Sequence, residues 1–474
     1  MAHHASSWVY RPRTAEETAE AVTDARRRGL TIAHRGAGLS YGDAALNEGG
    51  AVIVCEGLQR ILAFDVERGT VRAEAGVTIS QLWQHVLPHG WWPPVVPGTS
   101  AVTLGGTVAM NIHGKNAFRV GPFGEHVEAL TLLDADGAVR TIRREPDCVG
   151  AAAPQRADWT AATATDAAAA PLRLQDVIGA QGLNGTILDI TLRLKRVHGG
   201  FLDVCPLSTR DLAETLERLD EGAASHDYAV GWLDAFAGGR AAGRGALHFA
   251  DHLSPDHRLA GRGLAVADQH LPDRILGVVP KRQTWRLMKP FTNDVGMRAL
   301  NLAKHLAGVA QGRRPYVQSH AAFHFLLDYV PDWKNVYRPH GLVQYQFFVP
   351  KAAAHAVLGE ALARQQRAGI VSYLGVLKRH RPDAFASQYA VDGFSLALDF
   401  PVRPRRAAAF NQLLRDFDAM QREAGGRIYA AKDGSSVGRL PAVRAAAYSS
   451  DLARRWEAGR LAGARQPDKA AGDV

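Results

Sequence analysis

Closely spaced glycines follow the first predicted strand, within residues 34–43. Their spacing, Gly36-x-Gly38-x-x-x-Gly42, differs from the GxGxxG of a Rossmann phosphate loop, and the next residues lead to another strand without a helix. Together with Ser40, these glycines offer bare peptide N–H groups in a tight loop, which suits a pyrophosphate. Taken alone, the stretch is also compatible with a purely structural turn.

Two further loops have the same small-residue character. Residues 97–109 are rich in Gly, Ala and Thr, and residues 179–185 repeat the pattern before a strand. Between them, His113 and Lys115 flank a glycine. Since Gly and Ala let the backbone approach a ligand closely, such a segment can lie flat against a large planar ligand. Three such loops in the N-terminal part of the chain require a common explanation.

Short elements must position these loops. The Thr14-x-x-Glu17 capping box predicts a first helix over 14–28. Strands are predicted at 30–34, 51–55, 61–65, 70–75 and 185–195, a helix at 78–87, and a hairpin over 127–142 that turns at Asp136-Gly137. The aperiodic, Ala-rich residues 145–173 predict a flexible surface insertion. Farther along, hairpins mix with helices at 209–219 and 351–368, and the Arg-rich stretch 434–464 is predicted to be helical.

Composition narrows the class of protein. A chain of 474 residues, 46% hydrophobic and 22% charged, predicts two or three globular domains. The +9 charge comes mostly from Arg spread through Ala-rich sequence, so we attribute it to compositional bias and expect no nucleic-acid binding. Cys55, Cys148 and Cys205 form no CxxC pair, which favours a reducing compartment. Without a signal peptide or a transmembrane run, we expect a cytoplasmic protein, at a membrane only if something else carries it there.

The first 197 residues resemble the PCMH-type FAD-binding domain of the vanillyl-alcohol-oxidase-like flavoproteins. The resemblance rests on the ordered motifs Arg35-Gly-x-Gly-x-Ser-Tyr-Gly-Asp43, Pro97-Gly-Thr99, Thr103-x-Gly-Gly106, His113-Gly-Lys-Asn116 and Gly121-x-Phe-Gly124. It continues at Asn184-Gly185, Trp232-Leu-Asp234, Gln344-Tyr-Gln-Phe347, Leu398-Asp-Phe-Pro401 and Gly426-Arg-Ile-Tyr-x-Ala-Lys-Asp433. Within the family, this ordered set is most similar to the oxidase subunits of decaprenylphosphoryl-β-D-ribose 2′-epimerases.

The resemblance implies an α+β fold of two domains. These are a FAD-binding domain at 1–197, which includes the 145–173 insertion, and a substrate or cap domain with an antiparallel sheet at 198–425. A C-terminal segment, 426–474, returns to the FAD domain. The resemblance implies noncovalent FAD, because this chain has no His in loop 36–40 and no Cys near 98–105, where relatives attach the flavin. The implied cofactor-lining residues are Gly36, Gly38, Ser40, Gly42, Gly98, Thr99, Thr103, Gly105, Gly106, Asn111, Ile112, Asn184 and Tyr429.

The family chemistry oxidises a secondary alcohol, with flavin N5 accepting hydride from the carbinol carbon and a protein base taking the hydroxyl proton. Lys432, close to Tyr429, is the first candidate for that base, provided that burial or a neighbouring cation lowers its pKa. His113 is expected to share the role, and Tyr41 is the third catalytic candidate. The resemblance implies that Lys115, His324, Gln346 and Lys378 bind substrate.

Two departures from the family pattern affect the expected pocket. His324 stands where the family has a tyrosine, and Ala397 stands where mycobacterial relatives have a cysteine beside the flavin. We therefore expect an altered substrate pocket and insensitivity to covalent inhibitors that react with that cysteine.

Hydrolase and zinc-enzyme interpretations fit the sequence poorly. Gly434-Ser-Ser-Val-Gly438 matches the GxSxG of a nucleophile elbow, but no His follows residue 380 to complete a triad in the required order. Pro88 breaks the helix between His85 and His89, while His320 and His324 lie in sequence with β character. Neither His pair has a third ligand nearby, so no metal site is predicted.

The sequence thus predicts FAD-dependent oxidation of a secondary sugar hydroxyl to a ketone. The substrate expected from the resemblance is a polyprenylphosphoryl ribose or another small or lipid-linked glycosyl compound. A quinone or oxygen would reoxidise the flavin, and a separate short-chain reductase would complete an epimerisation. The alternatives are an oxidase of free sugars, alditols or aldonolactones, and a flavin-less binding protein on the same fold.

Overall fold

A computed structural model describes residues 4–145, 171–275, 277–386, 389–433 and 447–464. Most of the predicted 145–173 insertion and the whole Gly434–Gly438 motif lie outside the described residues. Within the described part, no helix is long and apolar enough to cross a membrane.

The N-terminal part consists of short strands and helices. Its strands are β1 (Trp8–Tyr10), β2 (Ile32–Arg35), β3 (Ala51–Val54), β4 (Ile61–Asp65), β5 (Thr70–Glu74), β6 (Trp91–Trp92), β7 (Val127–Leu133), β8 (Val139–Arg143), β9 (Thr186–Arg193) and β10 (Lys195–Arg196). Its helices are α1 (Ala15–Arg27), α2 (Ile79–Val86), α3 (Leu104–Ala109), α4 (Ala117–Val120) and α5 (Leu174–Val177). As predicted, Thr14 caps α1 by accepting a hydrogen bond from the Glu17 N–H.

These strands form two main sheets. The parallel sheet has the order β1-β3-β2, with α1 connecting its outer strands, and the antiparallel sheet has the order β4-β5-β9-β7-β8. The predicted Asp-Gly turn joins β7 to β8, with Gly137 at φ 85°. Apolar side chains such as Leu130, Ile190 and Leu192 pack under α2 and α3. Parallel and antiparallel sheets mixed with helices make an α+β fold.

The rest of the chain contributes longer strands and helices. The strands are β11 (Phe201–Thr209), β12 (Tyr228–Leu233), β13 (Gly245–His252), β14 (Arg274–Ile275), β15 (Val279–Pro280), β16 (Tyr316–Ser319), β17 (Leu342–Pro350), β18 (Leu374–His380), β19 (Gly393–Pro401) and β20 (Arg427–Ile428). The helices are α6 (Leu212–Ser225), α7 (Lys281–Met288), α8 (Asp294–Gln311), α9 (His320–His324), α10 (Lys351–Arg367), α11 (Ala407–Glu423) and α12 (Asp451–Ala464).

One eight-stranded sheet, ordered β16-β11-β13-β12-β18-β19-β17-β20, dominates this part. Successive residues of a strand point to opposite faces. On β17, Tyr345 and Phe347 therefore join the apolar core under α6, α10 and α11, while Gln344, Gln346 and Phe348 point the other way. We call this second face the site face, because it lies toward the glycine-rich loops.

The C-terminal residues connect the two parts. Strand β20 is an edge strand of the large sheet, paired with β17. Tyr448 then bridges to Ile32 of the parallel sheet, and Arg455 of α12 makes two hydrogen bonds of 3.0 and 2.8 Å to the buried Asp43 carboxylate.

Three predictions about local structure were wrong. Residues 104–109 form the short helix α3, capped by Thr103, and not a continuous loop. His320 and His324 lie on α9, where they are one turn apart, and not in β structure. The predicted helix at 209–219 instead begins at Leu212, because Asp211 caps it and Thr209 still pairs within β11.

Candidate functional site

The three glycine-rich loops meet at α3. A Cβ atom at Gly36 would lie 2.1 Å from Oγ1 of Thr103, so the first two loops are in direct contact. The third loop donates hydrogen bonds to α3, from the Gly179 and Gln181 N–H groups to the carbonyls of Val108 and Ala109, at 2.9 and 2.8 Å. The convergence that the sequence predicts is therefore present in the fold.

The first loop fits an anionic group. The peptide N–H groups of residues 36–40 make no hydrogen bonds within the described part of the chain. Gly38 has a φ of 62°, in the left-handed region that anion-binding turns of successive N–H groups use. Unpaired backbone donors of this kind suit the pyrophosphate of a dinucleotide.

Two strained polar residues extend the same surface. Asn111 and Gln181 are buried and have φ angles of 43° and 59°, a region that non-glycine residues occupy at a cost of about 1–3 kcal/mol. The Asn111 Nδ2 and both amide atoms of Gln181 have no partner among the described residues. Unpartnered buried donors and acceptors fit the polar edge of a flavin ring, so the residues present are suited to FAD.

Lys432 is held between the first loop and the large sheet. The Tyr41 N–H donates to the Ala431 carbonyl at 3.0 Å, and on the other side Asp433 and Gln344 exchange hydrogen bonds of 2.9 and 3.0 Å. The Lys432 ammonium lies 4.3 Å from the centre of the Tyr41 ring. Residues from both parts of the molecule therefore fix the position of this lysine.

The environment of Lys432 tunes its proton affinity. Burial lowers the pKa of Lys432 to about 8, against the raising effects of Asp399 and Asp433, and Lys334 adds to the lowering. Burial raises the pKa of Tyr41 well above its usual value, so the phenol stays protonated at neutral pH. Of these two catalytic candidates, only Lys432 can therefore act as a base near neutral pH.

His113 lies on the site face, between Gln346 and Lys378. Its Nε2 is 3.0 Å from the Gln346 amide nitrogen, and its Nδ1 is 3.3 Å from the Lys378 Nζ. Burial, and then the charges of Lys378, His380 and Lys432, hold the pKa of His113 well below its usual value. The Gln346 amide nitrogen can only donate, so Nε2 is the acceptor and the proton of the neutral ring lies on Nδ1, from which a neutral Lys378 amine accepts it.

Lys378 completes this group. Burial, and then the neighbouring Lys432, lowers its pKa to about 7. Like-charged groups in a poorly solvated site disfavour each other's charged forms. At neutral pH, the pair Lys378 and Lys432 therefore holds fewer than two positive charges, and either amine can accept a proton.

Lys115 and His324 lie farther along the same face. The Lys115 ammonium donates to the Phe323 carbonyl and lies 4.2 Å from the centre of the Phe323 ring. Burial, and then Lys378, lowers the pKa of Lys115 to about 7. His324 is 1% exposed and stacks on Trp92, with ring centres 5.9 Å apart. His324 therefore lies behind Lys115 and not beside His113, and its predicted contact with substrate stays a prediction.

The other predicted cofactor residues are distributed around this centre. The Tyr429 hydroxyl donates to the Met110 carbonyl at 3.2 Å, and the Asn184 amide donates to the Asp176 carbonyl at 2.8 Å. The Gly98 carbonyl accepts from the Leu327 N–H at 3.0 Å, which joins the second loop to the segment after α9. Gly42 packs against the Lys432 carbonyl. Of the remainder, Thr99 lies in the loop before α3, Gly105 and Gly106 lie on α3, and Ile112 follows that helix.

Sequence reasoning missed several residues of the site. His380 shares a hydrogen bond of 2.8 Å with Ser395 across β18 and β19. Gln344 donates to Asp399, whose pKa burial raises to about 6. The available signal was alternation, because His380 lies two residues after Lys378, and Ser395 and Asp399 are polar positions on an apolar strand.

A metal centre is not supported by the described residues, among which no group of three or more His, Cys, Asp or Glu side chains is placed to hold an ion. The rings of His320 and His324 are parallel, with centres 6.2 Å apart, and lie within an aromatic stack. His85 and His89 both pack on Phe64.

Comparison with known proteins identifies similar chains. Residues 6–143 match a family described as FAD binding domain. The chain is 32% identical to decaprenylphosphoryl-β-D-ribose oxidase of Mycolicibacterium smegmatis over 430 residues, which cover 88% of this chain and 84% of that protein. It is 31% identical to an uncharacterised protein in the mprA 5′ region of Streptomyces coelicolor, over 75% of this chain and 89% of that one. L-Gulonolactone oxidase of Mus musculus matches at 30% identity, over 27% of this chain and 29% of its own.

Replacing Gly36 with Ala is expected to reduce the FAD content of the purified protein severalfold. The added Cβ would overlap with Thr103 Oγ1 and displace the loop whose N–H groups suit the pyrophosphate. The ratio of flavin to protein absorbance measures the effect. The matched control is Gly359→Ala, where the new Cβ makes only an ordinary contact with Leu212. Full FAD content in Gly36→Ala would show that this loop does not hold the cofactor.

Proposed function

Because the chain belongs to the FAD-binding oxidoreductase family of decaprenylphosphoryl-β-D-ribose oxidase, we propose that it oxidises a secondary hydroxyl of a sugar to a ketone. The protein is an FAD-dependent oxidoreductase, so the flavin-less binding protein is set aside. The observation that carries the proposed reaction is the meeting of Lys432, His113 and Lys378 between the glycine-rich loops and the site face.

The proposed arrangement has two domains. Residues 1–197 would hold FAD without a covalent bond, residues 198–425 would cover the substrate with the site face of the large sheet, and 426–474 would return to the FAD domain. The separate N-terminal sheets and the bridge from Tyr448 to Ile32 support this division. In it, the substrate binds between flavin and sheet.

Bound FAD would supply the two-electron acceptor for the carbinol hydrogen. Lys432 is the proposed base for the hydroxyl proton, because its neutral form is accessible near pH 8 and two elements fix its position. A base with a pKa close to the working pH combines a usable fraction of the deprotonated form with sufficient proton affinity.

His113 and Gln346 are proposed to orient the substrate hydroxyl. Neutral His113 presents its acceptor nitrogen Nε2 to the Gln346 amide and its donor Nδ1 to the neutral Lys378 amine. The buried Phe348 ring lies edge-on to His113, with centres 5.8 Å apart, and helps to exclude water from this side. Tyr41 supports Lys432 through its ring face and stays protonated.

The charge of the site favours a phosphorylated substrate. Lys115 and Lys378 lie along one face, each with a pKa that burial lowers to about 7. A bound phosphate would stabilise their charged forms and contribute affinity in return. We therefore propose a polyprenylphosphoryl-ribose-like or other glycosyl phosphate substrate. The alternative is an oxidase of free sugars, alditols or aldonolactones, which the partial match to L-gulonolactone oxidase keeps open.

The ketone product would be the first half of an epimerisation. A separate short-chain reductase is the proposed consumer of the ketone, and a quinone or oxygen is the proposed acceptor of electrons from the cofactor. A lipid-linked substrate would require the protein to work at the surface of a membrane.

The substrate class can be tested by anaerobic bleaching of the flavin. We expect a polyprenylphosphoryl pentose, or a short-chain analogue that keeps the phosphate, to reduce bound FAD. The matched pentose without phosphate should do so at least about tenfold more slowly, because a lost charged hydrogen bond costs about 1.5–3 kcal/mol. Faster bleaching by free sugars, alditols or aldonolactones would favour the alternative. A colourless protein that cannot be reconstituted with FAD would remove the proposed reaction.

Lys432→Met should retain FAD but reduce substrate-dependent flavin reduction by about 10²–10⁴-fold, the usual contribution of a general base. Methionine keeps the length of the side chain and removes the amine. Stopped-flow absorbance gives the rate, and Lys351→Met, at an exposed position on α10, is the control. An unchanged rate in Lys432→Met would exclude Lys432 from the reaction.

Asp399→Asn should move the pH dependence of flavin reduction to lower pH. The pKa of Lys432 is depressed from 10.5 to about 8, so the amine loses its proton, and the rate rises, as the pH increases through about 8. Asp399 opposes this depression, and without its charge the rise should occur about one pH unit lower. Rates measured from pH 6 to 10 test this, with the exposed Asp256→Asn as control. If the rate of flavin reduction rises at the same pH in Asp399→Asn as in the unaltered protein, Lys432 is not the titrating base.

A further inference from the structure

Helix α8 presents its apolar side to solvent and its polar side to the protein. Asn301 is 4% exposed and accepts a hydrogen bond of 3.0 Å from the Trp232 indole N–H, and the Lys304 ammonium lies over the same Trp232 ring. A helix at the surface of a globular protein normally has the opposite orientation, with its apolar stripe toward the core.

The outward side of α8 is a continuous apolar stripe. Val295, Leu302, Leu306 and Val309 are spaced by seven, four and three residues, which places them along one face of a helix. Their exposed fractions are 79%, 43%, 58% and 57%. Asn301 and Lys304 fall on the opposite face at the same periodicity, in agreement with their contacts.

The apolar surface continues onto the preceding segment. Leu287, Met288 and Phe291, at the end of α7 and in the 3-10 turn Lys289–Phe291, are 57%, 41% and 68% exposed. Residues 278–309 contain nine of the fifteen large apolar side chains that are exposed in the described part of the chain. Concentration of exposed apolar residues in one patch marks an interaction surface, whereas isolated ones do not.

Basic residues surround the patch. Arg282, Arg286, Lys289, Arg298 and Arg313 are exposed, and none has a carboxylate partner among the ion pairs of the described residues. Between Lys281 and Arg314, Asp294 is the only acidic residue, and it pairs with Arg403. The rim therefore has a single sign of charge.

We propose that α7 and α8 dock on an anionic lipid bilayer, with the apolar stripe below the headgroups and the basic rim among them. An apolar helix face flanked by Lys and Arg is the pattern of interfacial helices, which lie in the membrane plane about 5–10 Å deep. A second copy of this chain is the poorer occupant, because self-association would bring two basic rims together. The inference concerns location and does not depend on which sugar is oxidised.

The buried side of α8 links this surface to the site. Trp232 of β12 points to the site face, as Val230 does. It pairs with Val376 of the neighbouring strand β18, and Lys378 lies two residues farther along β18 on the same face. Burial lowers the pKa of Lys304 to about 7. A bilayer on the outer side of α8 would therefore lie one helix thickness from the site face.

The test is co-sedimentation of the FAD-loaded protein with vesicles. Vesicles of equal parts phosphatidylglycerol and phosphatidylcholine should bind it at least about tenfold more tightly than phosphatidylcholine alone, and less tightly as salt is added. The variant Leu302→Ser/Leu306→Ser/Val309→Ser should lose about tenfold or more of this binding. The matched control, Leu62→Ser/Val66→Ser/Val139→Ser, changes three exposed apolar residues elsewhere and should bind like the unaltered chain.

Two further measurements make the result decisive. Flavin absorbance and light scattering, recorded on each variant, report folding and oligomeric state separately from the reaction. Unaltered protein that stays in the supernatant with anionic vesicles, or a stripe variant that binds as well as the control, would overturn the proposal. The proposal would also be overturned if the unaltered protein and the control variant were dimers and the stripe variant were a monomer. A second copy of the chain would then cover the patch.

Discussion

The backbone at residues 429–433 is the constraint on which the site depends. Its hydrogen bonds reach the first glycine-rich loop on one side, at Tyr41, and β17 on the other, at Gln344. The Lys432 backbone cannot move without disturbing one of these two partners, so the side chain is anchored at the junction of the two parts of the molecule. A side chain on a long flexible stem becomes a defined base only when the backbone beneath it is fixed from both sides.

An excess of buried lysines over carboxylates gives Lys432 its capacity to accept a proton. The site gathers three buried lysines, Lys115, Lys378 and Lys432, against the two carboxylates of Asp399 and Asp433. Burying cations without an equal number of anions is costly, and proteins reduce the cost by releasing protons. The lowered lysine pKa values are the result. The same imbalance that costs stability produces amines that can accept a proton at neutral pH, and it also makes a phosphate a favourable ligand.

The sequence predicted the features that depend on neighbouring residues and missed those that depend on contacts between distant parts of the chain. The cap at Thr14 and the Asp-Gly turn depend on neighbouring residues, and both are present as predicted. The first glycine-rich stretch is a loop, whereas the second contains α3. Helix α3 is too short for a periodic signal and contains Gly105 and Gly106, which disfavour helices. The contacts of His113 with Gln346 and Lys378 span more than 230 residues, and they arise from the strand order β12-β18-β19-β17, which no local pattern encodes.

Helix α8 has the opposite orientation to the one that its sequence pattern predicts for a helix between a protein core and water. Val295, Leu302, Leu306 and Val309 follow a helical period, which would normally assign them to the core, yet Asn301 and Lys304 lie on the side that faces the protein. The inward residues Asn301 and Lys304 are polar because both bind the indole of Trp232, one at its N–H and the other over its ring. The outward residues are apolar because, in the proposed location, lipid and not water lies against them. The orientation of α8 therefore follows from two environments together, the Trp232 indole on its inner side and the proposed bilayer on its outer side.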